Sequence, residues 1–177
     1  MPHAVDPRAG NLIGAFALAL VDRMSDAITG QGGPTGSAAA ALLLVHHGHV
    51  RRVDDLRAPL ALSQAGVVRL VDRLVSAGLV QRVAGDAADR RQVALAVTAK
   101  GGRRATELLQ ARERAIAGLL GGLTPGQIAD VGRSCERALA VIAAEHAAPA
   151  RICRYCDETA CDLTRCPVEI ATDTGGA

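Results

Sequence analysis

The apolar residues change their spacing between residues 63 and 97, and this change restricts the possible folds more than any other feature. Four of them recur at intervals of three and four residues, which is typical of the buried face of an α-helix: Val67, Leu70, Val71 and Leu74. Gly78 is suited to end that helix. Residues 79–83 and 92–97 then read as two short β-strands joined by a polar, basic loop. The sequence therefore predicts a helix followed directly by a β-hairpin.

A second, short helix is predicted immediately before this unit. Residues 53–60 carry apolar side chains at helical spacing, and Pro59 shortens or tightens the end of the segment. Ser63 is a good N-cap for the helix that follows. Two helices joined by a tight turn and followed by a two-stranded β-wing form a winged helix-turn-helix, which we expect over residues 35–100.

The N-terminal part of the chain also reads as helical. Residues 1–10 read as a loose tail, and an amphipathic helix is predicted from Leu12 to about Ile28, ended by the glycine-rich run 30–34. Residues 37–47 are almost wholly apolar, which indicates a helix buried on most sides. The chain has only one Phe, one Tyr and no Trp, so its core must be built from Leu, Val, Ile and Ala. Such a composition favours a mainly α fold.

The C-terminal helices carry a regular apolar seam. Thr98 caps a helix that runs to about Gly121, and Thr124 followed by Pro125 opens a last long helix. Apolar residues then recur at alternating intervals of three and four, which is a heptad pattern: Ile128, Val131, Cys135, Ala138 and Ile142. In this interpretation Cys135 is a small core residue.

The apolar residues of the first helix and those of the last long helix each form a stripe that must pack against another surface. A winged helix of roughly 55 residues has too little surface to cover both, so we expect the N- and C-terminal helices to pack together across a two-fold dimer. Packing of both stripes within one monomer is the alternative. The predicted organisation is a tail and first dimerisation helix (1–34), the winged helix-turn-helix (35–100), C-terminal dimerisation helices (101–148) and a cysteine-rich tail (149–177).

The basic charge is concentrated in one segment. Residues 51–104 hold eleven Lys or Arg against five Asp or Glu, whereas the whole chain carries a net charge of only +2. A polyanion-binding surface is therefore expected in this segment. No apolar run reaches the ~18 residues of a membrane span, and no signal-peptide pattern is visible at the N-terminus. We expect a cytoplasmic protein that binds no membrane.

Two segments of the sequence resemble the MarR family of winged-helix regulators. The first is 62–80, which is similar to the recognition helix of the family and the turn into its first wing strand. The second is 89–98, in which Asp89, Arg91, two aliphatic residues and Thr98 follow the spacing of the family's wing signature. The resemblance runs from about Leu12 to Ala144, and the cysteine-rich tail is not part of the common family pattern.

The helix that begins after Ser63 is expected to enter the major groove of DNA, because that groove admits one α-helix. Ser63 and Gln64 lie at its N-terminus, where backbone N–H groups favour phosphate. Ala65, Arg69 and Arg73 point outward from the apolar stripe. Arg69 is the candidate for reading a base, since its guanidinium suits guanine, and Arg73 is a phosphate contact or a partner of Asp72.

Further basic residues are expected to contact DNA outside the major groove. The resemblance implies that Arg91 enters the minor groove, held by Asp89, with Arg90 beside it. Phosphate contacts and salt dependence are expected from Arg51, Arg52 and Arg57.

The resemblance implies a sequence-specific transcriptional regulator, more often a repressor, that binds near-palindromic double-stranded DNA as a homodimer. It also implies a small organic effector bound between the dimer helices and the winged domain. No nucleotide-binding loop, paired carboxylates or Ser-His-Asp arrangement is recognisable, so we expect no enzyme.

Four cysteines in the tail form a C-x2-C-x4-C-x4-C motif: Cys153, Cys156, Cys161 and Cys166. Four thiols so close in sequence predict a metal site, either a zinc ion or, since Cys166 is followed by Pro167, an iron–sulfur cluster; disulfides or free thiols remain possible. An occupied tail would suit a metal- or redox-responsive regulator, either as sensor or as structural clip, or an electron-transfer protein. His46, His47 and His49 are expected to be surface histidines at a helix end, because no carboxylate is spaced to complete a site with them.

Overall fold

The computed structural model describes residues 6–84, 93–145 and 148–174. Eight α-helices and a two-stranded sheet are found in this part of the chain. In chain order the elements are α1 (Pro7–Gly30), α2 (Ser37–His46), α3 (Arg57–Leu60), α4 (Gln64–Ser76), β1 (Val80–Ala84), β2 (Val93–Val97), α5 (Ala99–Leu120), α6 (Pro125–Ala144), α7 (Ala150–Cys153) and α8 (Pro167–Thr174). Single 3₁₀ turns cover Asp54–Leu56, Glu158–Ala160 and Leu163–Arg165. The predicted fold class, a mainly α winged helix-turn-helix, is confirmed.

The first helix begins earlier than the apolar pattern indicates. Asp6 caps it by accepting a hydrogen bond from the backbone N–H of Ala9 at 3.0 Å, and Pro7 occupies the first helical position. This pair is a strong helix start, because the cap satisfies a free N–H and proline has none to satisfy. The prediction of a loose tail through residue 10 is therefore wrong for residues 7–10.

The helix-turn-helix and the wing follow the predicted pattern closely. The Ser63 hydroxyl accepts a hydrogen bond from the Gly66 N–H at 3.2 Å and so caps α4. The four stripe residues of α4 are all buried. Gly78 has a φ of +69°, a backbone conformation that residues other than glycine rarely adopt. β1 and β2 then pair antiparallel, with Val80 opposite Val97.

The core lies between α2 and the elements that surround it. Residues 39–45 of α2 are all buried, as the wholly apolar pattern predicts. They pack with the buried faces of α4 and α5 and with Leu56 and Leu95 in a single cluster. α1 packs along α5, and α8 packs on α6. The winged unit therefore has a core of its own; α1 contributes Ile28 to that core, and α6 lies outside it.

The terminal helices leave apolar side chains uncovered in the single chain. On α1 these are Leu12, Ile13, Phe16, Leu18 and Val21, and on α6 they are Ile128, Val141 and Ile142, each at least 39% exposed. Cys135 is also exposed, so its predicted place in a core is wrong for one chain by itself. No helix in the described ranges has the combination of length and apolar character that crossing a membrane requires.

Candidate DNA-binding surface and associated sites

The outward face of α4 carries the residues predicted to meet DNA. Because the apolar stripe points into the core, Ser63, Gln64, Ala65, Arg69 and Arg73 are all exposed. They lie on one helix whose N-terminus is free of acidic side chains in its first turn. The helix thus presents backbone N–H groups at one end and guanidinium groups along its length, which suits a polyanion.

The same face contains an exposed apolar residue that lies outside the buried stripe of α4. Val68 is 39% exposed, and it lies next to Arg69 on α4. An exposed valine on a helix that enters the major groove is suited to contact the methyl group of thymine. Its place outside the i, i+3, i+4, i+7 pattern is the sequence signal that identifies it.

A salt bridge connects the first wing strand to α4. Arg82 on β1 donates to the Asp72 carboxylate at 2.7 Å, and both side chains are partly exposed. From the sequence, Arg73 is either a phosphate contact or a partner of Asp72; in the structure the Asp72 carboxylate binds Arg82, a residue to which the sequence pattern assigns no role. The pair joins a residue of β1 to a residue of α4.

A third backbone segment pairs with the wing. Arg52 forms an antiparallel bridge with Ala94, and the Leu95 N–H donates to the Arg51 carbonyl at 2.7 Å. Both arginines are exposed beside the sheet, and Arg57 lies 3.5 Å from Asp54 at the start of α3. The wing residues Asp89, Arg90 and Arg91 lie outside the described residues, so their roles stay predictions.

A cleft of about 620 Å³ opens between the start of α2, the end of α4 and the start of α5. Three cationic residues line it: Arg73, Lys100 and Arg104. Lys100 Nζ donates to the Ala77 carbonyl at 2.8 Å, which holds this ammonium at the C-terminal end of α4. The remaining lining combines small and apolar residues such as Pro34, Ala38 and Leu74.

Arg104 is the most enclosed cation of this cleft. Its side chain is only 13% exposed, and Nη1 binds Glu107 at 2.8 Å. Nε and Nη2 are buried and have no hydrogen-bond partner among the described residues. Gly33 makes room for this guanidinium, because a Cβ there would lie 3.3 Å from Nε and from Nη2. Two donors of a buried guanidinium are thus available to an anion.

The four tail cysteines lie between the last residue of α7, Cys153, and the residue that precedes α8, Cys166. Cys153 and Cys156 are hydrogen-bonded to each other, and Cys166 lies close enough to affect the ionisation of both Cys153 and Cys161. The hydrogen bond from Cys153, with the positive charges of Arg112 and His49, lowers the pKa of Cys156 to about 7, whereas the pKa of Cys153 is raised. All four thiols are free of disulfides. In the described parts of the chain, no three His, Cys, Asp or Glu side chains are grouped as a single metal ion requires.

Arg112 on α5 is near enough to this loop for its charge to act there, a proximity that the sequence does not reveal because more than 40 residues separate Arg112 from the cysteines. Its positive charge acts on Cys156, Cys161 and Asp157. Its Nε is buried and finds no hydrogen-bond partner within the described residues. The guanidinium charge therefore influences the thiols, and its Nε binds no carboxylate within the described residues.

The cysteine loop packs against the winged domain. The Tyr155 hydroxyl donates to the Gly36 carbonyl at 2.8 Å, just before α2. Glu158 contacts His49 and lies 3.8 Å from His47, just after α2. α7 also packs on α3, the first helix of the helix-turn-helix. The loop thus touches both ends of α2.

Two of the three histidines near the end of α2, His46 and His47, are partly buried and so are not the surface residues that the sequence predicts, whereas His49 is exposed as predicted. The His47 side chain is 8% exposed, and burial lowers the pKa of His46. The prediction is wrong because the carboxylate that meets His47 and His49 comes from Glu158, 109 residues beyond His49, and no local spacing could reveal it.

Comparison with known proteins supports the geometry. Residues 35–101 match the family model described as a winged helix DNA-binding domain. No curated protein matches the sequence. A MarR family protein from Bacillus stearothermophilus shares 24% identity at a TM-score of 0.65, over 76% of this chain and 96% of that one.

Two structures with bound molecules have a similar fold. A MarR family protein from Mycobacterium tuberculosis in complex with p-aminosalicylic acid aligns at a TM-score of 0.58 and 22% identity, over 73% of this chain and 96% of that one. A mutant of Escherichia coli MarR in complex with operator DNA aligns at a TM-score of 0.54 and 21% identity, over 75% and 94%. Residues 35–101 therefore form a winged helix DNA-binding domain, and the chain has the fold of the MarR-family structures, as its two sequence motifs predict.

Proposed function

We propose that this chain is a transcriptional regulator of the MarR family that binds near-palindromic DNA as a homodimer and acts as a repressor. The observation that carries the proposal is the exposed, cationic face of α4 on a winged helix-turn-helix, with Arg69 at its centre. A dimer that occupies two successive major grooves covers enough DNA to compete with transcription, which favours repression over activation.

Arg69 is the base-reading residue in this proposal. It lies on the exposed face of α4, two turns from the Ser63 cap, where the first turns of a recognition helix reach base edges. Val68 beside it supplies an apolar contact to thymine, and the N–H groups at Ser63 and Gln64 meet a phosphate. Arg51 and Arg52, exposed beside the wing, contribute salt-dependent affinity.

The proposed homodimer follows from the uncovered apolar side chains of α1 and α6. These two helices flank the winged unit in sequence and are exposed where their apolar residues cluster. Burying such residues against a second copy is favourable by roughly 25 cal/mol per Å² of apolar surface. The two-fold axis would place two α4 helices on one face of the DNA.

The cleft beside Arg104 is the proposed effector site. Its three cations select a small organic anion, and its apolar lining accommodates a ring. Arg73 and Leu74 belong both to this cleft and to α4, so a ligand that moves them changes the position of the recognition helix. The p-aminosalicylic acid bound to the Mycobacterium tuberculosis protein combines a ring with a carboxylate, the two features that the proposed effector would have.

DNA binding is tested by fluorescence anisotropy with the intergenic DNA next to the protein's own gene. We expect Arg69→Ala to weaken binding to this DNA about tenfold or more and to reduce discrimination against scrambled DNA. Arg137→Ala, an exposed arginine on α6, is the matched control and should bind like the wild type. Equal affinities of the Arg69 variant and the wild type would refute the assignment.

The effector site is tested with p-aminosalicylic acid and its uncharged amide as probes in titration calorimetry. We expect the acid to bind and the amide to bind at least about tenfold more weakly, because the buried Arg104 donors need an anion. Arg104→Gln should abolish the difference, whereas Arg103→Gln, exposed on the same helix, should retain it. Binding of acid and amide with one affinity would contradict the proposal.

A further inference from the structure

We propose that Arg82 is a positioning residue for DNA recognition: by binding Asp72, it keeps that carboxylate away from Arg69, the residue proposed to read a base. The inference rests on the proposed function and extends it to a residue of the wing strand β1. Arg82 need not touch DNA for this role, because it acts through the charge of Asp72.

Asp72 is an unfavourable residue on the helix face proposed to meet DNA. It is the one acidic residue of α4, and its side chain is 53% exposed. On a helix, side chains three or four residues apart are neighbours, whereas adjacent residues do not face each other. Arg69, three residues before Asp72, is therefore within its reach, and Arg73 is not. Without another partner, Asp72 would compete with DNA for Arg69 and would repel phosphates.

The three charged residues of α4 share one surface. Arg69, Asp72 and Arg73 line an open hollow of about 520 Å³ beside the helix, together with Gly66 and Ser37. Neither arginine of this hollow forms a hydrogen bond or an ion pair with any residue that the structure describes. Both guanidinium groups are thus available to DNA while the carboxylate on the same surface is bound elsewhere.

Arg82 provides that other partner from outside the helix. Its Nη2 donates to Oδ1 of Asp72 at 2.7 Å, a charge-assisted hydrogen bond. The backbone of Arg82 is held in the sheet opposite Leu95, which is buried. An exposed ion pair of this kind contributes little to stability, so its consequence lies in which groups it leaves free.

The first test measures the affinity for the intergenic DNA and for scrambled DNA by fluorescence anisotropy. We expect Arg82→Gln to weaken binding to the intergenic DNA by about three- to tenfold and to reduce discrimination, because the freed carboxylate takes Arg69 from its base. Adding Asp72→Asn to the same chain should restore both the affinity and the discrimination. Arg133→Gln removes an arginine from a comparable exposed ion pair with Asp130 on α6, and as the matched control it should bind like the wild type.

The double variant separates this role from a direct contact. If Arg82 itself bound a phosphate, neutralising Asp72 would not bring the affinity back. Such a result, or an Arg82→Gln variant that binds like the wild type, would overturn the proposal. Because the double variant lacks the same salt bridge, its recovery would also show that the single variant fails through charge and not through loss of the fold.

The second test uses the free protein and needs no DNA. In spectra of the arginine side chains by ¹H–¹⁵N NMR, the Arg69 Nε–H signal is identified by its absence in Arg69→Ala. We expect this signal to shift in Arg82→Gln, where Asp72 becomes its acceptor, and to return to the wild-type position when Asp72→Asn is added. A signal that stays in place in Arg82→Gln would overturn the proposal.

The two tests keep this inference and the regulator function apart. A wild type that binds the intergenic and the scrambled DNA equally well would refute the proposed function. The spectra of the free protein would still decide whether Arg82 keeps Asp72 away from Arg69.

Discussion

Two residues, Thr98 and Gly101, determine where α5 begins after the wing. Thr98 caps α5 through the Gly101 N–H at 3.0 Å, and its own hydroxyl donates to the Gly78 carbonyl at 2.7 Å. The Leu79 carbonyl accepts from the Thr98 N–H at 3.0 Å. A Cβ built on Gly101 would lie 1.9 Å from that carbonyl oxygen, so glycine is required for α5 to start so close to β1.

Gly101→Ala should therefore destabilise the protein by about 3 kcal/mol or more, because the atom in the way is backbone and cannot rotate aside. Urea unfolding followed by circular dichroism measures the change. Gly102→Ala is the matched control: nothing lies within 4 Å of its Cβ, and alanine should stabilise the helix by about 0.5–1 kcal/mol. Equal midpoints for the two variants would contradict the close approach.

A second residue-scale prediction concerns His46. Burial, followed by the charge of His47, lowers its pKa against the opposing effects of Asp157 and Glu158. The unfolded chain takes up this proton near pH 6.5, while the folded chain takes it up only at lower pH. The unfolded state therefore binds more protons, and stability falls as the pH drops below about 6.5.

His46→Gln should remove this contribution. We expect the free energy of unfolding to fall less between pH 7 and pH 5 in the variant than in the wild type, measured by urea unfolding at several pH values. Parallel pH profiles of the two proteins would show that His46 titrates as freely when folded as when unfolded.

At the scale of elements, the sequence predicts what depends on near neighbours. The caps at Ser63, Thr98 and Thr124 and the buried stripe of α4 rest on contacts within four residues, and the structure contains all of them. The placement of Glu158 against His49 and of Arg112 against the thiols joins residues far apart in sequence. Such contacts follow from how helices pack, which periodicity does not encode. Asp6 was missed for a different reason, because a cap before Pro7 precedes any apolar repeat.

The start of α6 provides the element-scale prediction. Thr124 accepts from the Gln127 N–H at 3.3 Å while the Gln127 side chain accepts from the Thr124 N–H at 2.8 Å, a reciprocal capping box. Thr124→Ala should cost about 1 kcal/mol of stability in thermal unfolding. Thr106→Ala, whose hydroxyl donates to the Gly102 carbonyl within α5, removes no cap and should leave stability equal or slightly higher. A smaller loss at Thr124 than at Thr106 would mean that the box does not hold the helix end.

At the scale of the whole molecule, the winged domain buries its apolar side chains within one chain, whereas α1 and α6 leave many of theirs exposed. The core around α2 buries its apolar side chains, and the cysteine loop covers one side of it. The apolar residues of α1 and α6 have no such cover in one chain. The seam predicted by the heptad pattern is therefore present as a surface, and a second copy of the chain is the partner that the proposed function requires.

Ile142→Glu should separate the proposed dimer. Ile142 is 49% exposed in the single chain, so the substitution costs the fold of one chain little, but in a dimer it would bury an unpaired charge in the seam. Sedimentation velocity should show the variant as a monomer at concentrations where the wild type is a dimer.

Arg137→Glu is the control, because Arg137 lies roughly 140° around the helix from Ile142 and is exposed away from the seam. The monomeric variant should still bind an isolated half-site like the wild type while losing its preference for the full near-palindrome. A wild type that sediments as a monomer, or an Ile142→Glu variant that remains a dimer, would show that the seam does not hold two chains together.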